Sequence, residues 1–114
     1  MIDIKLSNNS EDYESNSSSL VELEEPKLKK PSLYRVILLN DDYTPMEFVV
    51  RVLKSIFNKN QEEANKITAY IHENGKGVVG TYIFEVAEQK GIETTLLARQ
   101  ESYPLQVKVQ KQQK

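Results

Sequence analysis

The amino-acid sequence predicts an α/β fold of the α+β kind, a two-layer sandwich with three helices packed on one side of a three-stranded sheet. Three observations carry that prediction. An unbroken apolar run, "LYRVILLN", has the composition of a strand buried on both faces. Two later stretches place apolar residues at helical spacing behind recognisable start signals. The closing "PLQVKVQK" alternates apolar and polar residues, as a strand with one wet face does.

In chain order the elements read β-α-α-β-α-β. The first strand covers Leu33 to Asn40. A helix then follows Thr44, Pro45 and Glu47, which have the spacing of an N-cap, a first helical residue and the far half of a capping box. Phe48, Val49, Val52, Leu53, Ile56 and Phe57 supply its apolar face. Asn60 and Glu63 repeat the capping pattern ahead of a second helix, whose Ala64, Ile67 and Ile71 share a face and whose Gly75 marks the stop. "GVVGTYIF" reads as the second strand and "EVAEQKGIETTLLARQES" as a third helix, weakened by Gly91 and two threonines. In the last strand Leu105, Val107 and Val109 point inward.

These elements occupy residues 32–114. Residues 1–31 contain "SNNSEDYESNSSS" and "VELEEPKLKKP", with scattered apolar residues and no sustained period, so a disordered amino-terminal extension is expected there. The 114 residues include no cysteine, which excludes disulfides, thiolate metal sites and thiol catalysis. Net charge is −2, and the one basic cluster, "KLKK", is a solvated linker rather than a stripe for nucleic acid. No apolar run approaches the ~20 residues that cross a membrane. The acidic amino terminus has no apolar signal core and no arginine before Arg35, so a cytoplasmic protein is expected. Nothing in the sequence demands a cofactor or more than a monomer.

The turn "NDDYTPME" is where function enters. Thr44 and Glu47 already supply a helix cap, and Asp42 is ordinary turn chemistry. Turn chemistry accounts less well for Asn40 and Asp41, since the cap is already supplied downstream, and that suggests that part of the turn holds a cation. The spacing is not that of a calcium loop, and His72, the single histidine, makes no zinc site without other ligands. A small acid–base or metal-dependent hydrolase using Asp41, Asp42 and His72 is the enzymatic alternative. Against it, the chain has no nucleophile motif and no glycine-rich phosphate loop, and His72 suits the last turn of a helix. A structural interaction domain is a third possibility. An organic ammonium is another candidate cation, since amide oxygen, carboxylate and neutral imidazole all accept its hydrogen bonds, and only a family resemblance makes that reading specific. On periodicity alone, Met46, Val49, Ile71 and Leu105 are core residues, and Glu85 and Lys90 are solvated helix charges.

"YRVILLNDDYTPMEFVVRVLKSIF", "YIHENGKG", "FEVAEQKG" and "YPLQVKVQ", in that order, resemble the ClpS family, adaptors of the Clp protease in the N-end rule pathway. The resemblance runs from about Ser32 to the end of the chain. It implies a compact domain behind a mobile extension, binding proteins whose first residue is Leu, Phe, Tyr or Trp and handing them to the amino-terminal domain of a ClpA-type AAA+ unfoldase. By the same resemblance, Asn40, Asp41 and His72 would contact the substrate's α-amino group. Thr44, Met46, Val49, Thr68, Ile71 and Leu105 would line the pocket for its first side chain, with Met46 as a gate against β-branched residues. Glu85 and Lys90 match positions that face the unfoldase. Thr68 departs from the family's frequent methionine.

Overall fold

The computed structural model describes residues 31–113. The extension expected over residues 1–31 therefore lies, except for Pro31, outside the described residues. The elements are β1 (Leu33–Leu39), α1 (Met46–Ser55), α2 (Gln61–Asn74), β2 (Lys76–Ile83), α3 (Phe84–Gln100) and β3 (Gln106–Lys111), in the order the sequence predicts.

β1 is the central strand of the sheet, antiparallel to β2 on one side and to β3 on the other. That position explains its continuous apolar character, with Val36, Ile37 and Leu38 all buried. Val36 and Leu38 enter one core with Phe48, Val52, Ala64, Ile71, Ala87 and Ala98 from the three helices. Period two turns Ile37 to the other side of the sheet, opposite Lys108 of β3, whose polar partners Gln106 and Gln110 are exposed. The pairing of β1 with β2 slips between Val36, opposite Gly80, and Ile37, opposite Val78. The unpaired Val79 is buried in the core.

The weak helix formers of α3 lie on its packed side. Gly91 lies where the helix crosses β3, and a side chain there would begin within 3.4 Å of Val109 and 3.6 Å of Val107. Thr94 is buried on the same face, and its hydroxyl donates to the Lys90 carbonyl at 2.8 Å. Small residues at Ala87, Gly91, Thr94 and Ala98 form the buried side of this helix.

The two helix starts differ from each other and, in one case, from expectation. The Asn60–Glu63 capping box forms: the Glu63 N–H donates to Asn60 Oδ1 at 2.8 Å and the Asn60 N–H to Glu63 Oε1 at 3.1 Å. Gly75 ends α2 in the left-handed region at φ 89°, where it closes on the Ile71 carbonyl. The Thr44–Glu47 box does not form. Helix α1 starts one residue later than predicted, with Pro45 in the cap position and no side-chain cap. The Thr44 hydroxyl instead donates to Asp41 Oδ2 at 2.8 Å. An ionised carboxylate three residues back is a stronger partner than a helix N–H, since charge-assisted hydrogen bonds are roughly twice as strong as neutral ones. Helix α1 also stops at Ser55, short of the predicted Phe57. Asn58, at φ 59°, reverses the chain, and the Lys59 N–H donates to the Leu53 carbonyl.

Candidate functional site

The site lies where β1 passes into α1. The Asn40 N–H donates to the Gly75 carbonyl at 2.8 Å, which ties the end of β1 to the end of α2. Asp41 then organises the turn. Its Oδ1 accepts from the N–H groups of Tyr43 and Thr44, each at 2.7 Å, and its Oδ2 accepts from the Thr44 hydroxyl. Asp41 thus has a larger structural part than the sequence suggests: it holds the turn together, while the helix cap expected of Thr44 is not made. A carboxylate offers about four acceptor positions. Three are used within the turn, so Oδ2 keeps one for a further donor. Asp42, by contrast, is exposed.

Behind the turn is a small, nearly closed cavity of about 10 Å³, which brings together Asn40, Asp41, Thr44, Val49, Ile71 and Leu105. Its polar groups come from the β1–α1 turn. Its apolar wall comes from α1, α2 and the approach to β3. Leu38 and Leu39 complete the lining. Sequence reasoning assigned those two to the strand alone, although their place directly before the polar turn was the signal that they border it. The arrangement sets hydrogen-bond acceptors at one end against apolar side chains at the other, and in this form it has room for about one water molecule, so an entering side chain has to part its walls.

Met46 and Thr68 are not in that cavity. They line a neighbouring, open groove between α1 and α2, of about 390 Å³, with Glu47, Val50, Gln61 and Asn65. Groove and cavity are adjacent along both helices, since Met46 precedes Val49, and Thr68 precedes Ile71, by about one turn. His72 lines neither and is exposed in the last turn of α2. Among the described residues, no group of three or more His, Cys, Asp or Glu is placed to hold a metal ion.

Leu105 is held by its flanks. Arg99 Nη1 donates to the carbonyls of Tyr103 at 2.8 Å and Leu105 at 2.9 Å, which fixes the path from α3 to β3. Tyr103 packs edge-on against Phe48, with ring centroids 4.9 Å apart. Arg51 grips Glu101 through both carboxylate oxygens at 2.8 and 2.9 Å, tying α1 to the end of α3. That pairing holds the Glu101 carboxyl below the usual carboxylate range and raises Arg51, in each case mainly through the hydrogen bonds between them.

The remaining predicted pair behaves unequally. Glu85, in the first turn of α3, is exposed. Lys90 is half-buried rather than solvated: its ammonium donates to the Ile56 carbonyl at 2.7 Å and lies 5.4 Å from the Tyr82 ring centroid. It thereby meets the carbonyl end of α1, where a cation is favourable.

Fold and site together define a small α/β domain in which a polar turn borders an apolar wall. The family model for "ATP-dependent Clp protease adaptor protein ClpS" matches residues 29–108. Among curated proteins, the ATP-dependent Clp protease adapter protein ClpS of Rhodospirillum centenum is 51% identical over 98 residues, which are 86% of this chain and 91% of that protein. The ClpS of Maricaulis maris is 54% identical over 87 residues, 76% of this chain and 80% of that one. Among solved structures, Agrobacterium tumefaciens ClpS2 bound to L-phenylalaninamide superposes with a TM-score of 0.71 at 37% identity, covering 73% of this chain and all of that one. The chain belongs to the ClpS family of Clp protease adaptors.

Proposed function

We propose that this protein is a non-catalytic cytoplasmic adaptor that captures proteins beginning with Leu, Phe, Tyr or Trp and delivers them to a ClpA-type AAA+ unfoldase. The observation that carries this reading is the cavity itself, which sets Asn40, Asp41 and Thr44 against Val49, Ile71 and Leu105. The related ClpS2 was solved with L-phenylalaninamide, a ligand with a free α-amine and an aromatic side chain, and that supports the same polarity here.

The α-amino group of a polypeptide has a pKa of ~8 and is mostly charged at neutral pH. It approaches the mouth of the cavity and donates to the open position on Asp41 Oδ2, to the Asn40 amide oxygen and to the His72 imidazole. The first side chain turns into the apolar wall, with Met46 at the entrance. Each hydrogen bond to the charged amine contributes about 1.5–3 kcal/mol, and burying a Leu or Phe side chain contributes a similar ~1.5–3 kcal/mol. Several kcal/mol of association entropy oppose them, so binding in the micromolar range is expected. That strength lets an adaptor release its cargo. Glu85 and Lys90 face the unfoldase, Glu85 exposed and Lys90 half-buried with its ammonium on the Ile56 carbonyl. Residues 1–31 precede the binding domain as a segment needed for hand-over rather than capture.

Reconstituted degradation tests the proposal. With a ClpA-type unfoldase and its peptidase, the full chain should accelerate proteolysis of a folded reporter beginning with Phe and leave a reporter beginning with Ser unaffected. A chain lacking residues 1–31 should still bind the Phe reporter while its degradation slows. Equal stimulation of both reporters would contradict the adaptor reading, and loss of binding on truncation would contradict the division at residue 31.

A further inference from the structure

Two threonines are buried in this domain, and they are treated differently. Thr94 satisfies its hydroxyl within α3 by donating to the Lys90 carbonyl. Thr68, 3% exposed in α2, has the same opportunity toward the carbonyl one turn back and does not take it: its Oγ1 is buried without a hydrogen-bond partner. A hydroxyl shut away from water and left unpaired costs stability, so a group at this position that neither bonds its own helix nor reaches solvent is suited to a partner from outside. Its place gives that partner's direction. Thr68 lines the α1–α2 groove with Met46 and Val50, one helical turn along from Ile71 and Val49 in the small cavity. Met46, at the start of α1 on the groove side, is 47% exposed.

We infer that Thr68 is a specificity-determining residue whose hydroxyl bonds the phenol of a tyrosine at the first position of the bound chain, so that Tyr-initiated chains are preferred over Phe-initiated ones. The inference rests on the adaptor reading above and deepens it. A leucine side chain ends within the apolar wall. A phenylalanine ring reaches toward Thr68 and leaves the hydroxyl unpaired. A tyrosine carries to the same spot one O–H that both donates and accepts, which is what a lone threonine hydroxyl needs. A site with an unpaired polar group discriminates against the analogue that lacks its partner.

Fluorescence anisotropy with labelled peptides identical but for their first residue tests this. The full chain should bind the Tyr peptide about three- to tenfold more tightly than the Phe peptide, the range of one neutral hydrogen bond. A peptide beginning with 4-methylphenylalanine, matched in size to tyrosine but without the hydroxyl, should bind no better than Phe. Thr68→Val, nearly isosteric, should bring the Tyr to Phe ratio close to one without lowering the melting temperature, and Thr68→Ser should keep the preference. An unchanged ratio in Thr68→Val, or equal binding of the tyrosine and 4-methylphenylalanine peptides by the full chain, would overturn the assignment. The latter comparison needs no variant to fold. If no free-amine peptide binds, the adaptor reading itself fails; if all bind alike, only this inference does.

Discussion

The turns that open α1 and α2 begin with the same chemical vocabulary and end in opposite states. Ahead of α2, Asn60 and Glu63 satisfy each other's backbone reciprocally, and every group does what its spacing predicts. Ahead of α1, Thr44 and Glu47 have equivalent spacing, yet Thr44 turns back to Asp41 and the helix starts without a side-chain cap. The first arrangement closes on itself and has nothing to offer a ligand. The second gathers three donors onto one carboxylate that borders a cavity and keeps one acceptor position free of them. Where a local rule is broken while its residues are all present, the surplus polarity is where we place the binding site.

The strongest way to break the comparison is to separate the two duties of Asp41. Asp41→Ala removes both, so peptide binding should vanish and the melting temperature should fall by roughly 5–10 °C, about 1–2 kcal/mol in a domain of this size. Asp41→Asn keeps one oxygen for the Tyr43 and Thr44 N–H groups but puts an NH₂ where the ammonium and the Thr44 hydroxyl need an acceptor. It should stay folded and bind a Phe-initiated peptide at least tenfold more weakly, by about 1.5–3 kcal/mol. Full affinity in a folded Asp41→Asn would reduce the carboxylate to turn chemistry.

Met46→Ala comes next. Opening the entrance should admit Ile- and Val-initiated peptides that the intact chain refuses, measured as a several-fold rise in their affinity; an unchanged preference would remove Met46 from the gate. The α2 turn supplies the control. Asn60→Ala should cost ~1 kcal/mol in chemical denaturation, as lost caps do, and leave peptide affinity untouched. A binding defect there would mean that the two turns are not separate in function. The smallest effect belongs to Arg51 and Glu101. Because the folded carboxyl titrates lower than the unfolded one, its stabilisation is present above the ordinary carboxylate range and is lost as pH falls through the folded value. Arg51→Ala should flatten that acidic slope slightly, since the pair is largely exposed.

Much of this molecule is legible in its sequence, for reasons that differ by element. The apolar run in β1 and the alternation in β3 report burial directly, and the Asn60–Glu63 spacing reports a contact made within a few residues. The cavity lining could be named only through the family resemblance, because Val49, Ile71 and Leu105 have the same periodicity whether they fill a core or wall a pocket. Three features escape both routes. The choice of Thr44 between helix and carboxylate depends on competing distances in the folded turn. The inward reach of Lys90 depends on where α1 ends, which Asn58 decides from outside the helical pattern. The unpaired hydroxyl of Thr68 is an absence, and no spacing displays it.

The central claim is that the positive start of another polypeptide is gripped at the Asp41 notch while its first side chain fills the apolar hole. Titrating the protein with a fluorescent peptide beginning with Phe, and then with the same peptide acetylated at its α-amine, tests it most directly. Acetylation removes the charge and blocks the donors while leaving the ring intact, so affinity should fall by about a hundredfold or more, the scale of two hydrogen bonds to a charged group. Equal affinity for the two peptides would contradict it.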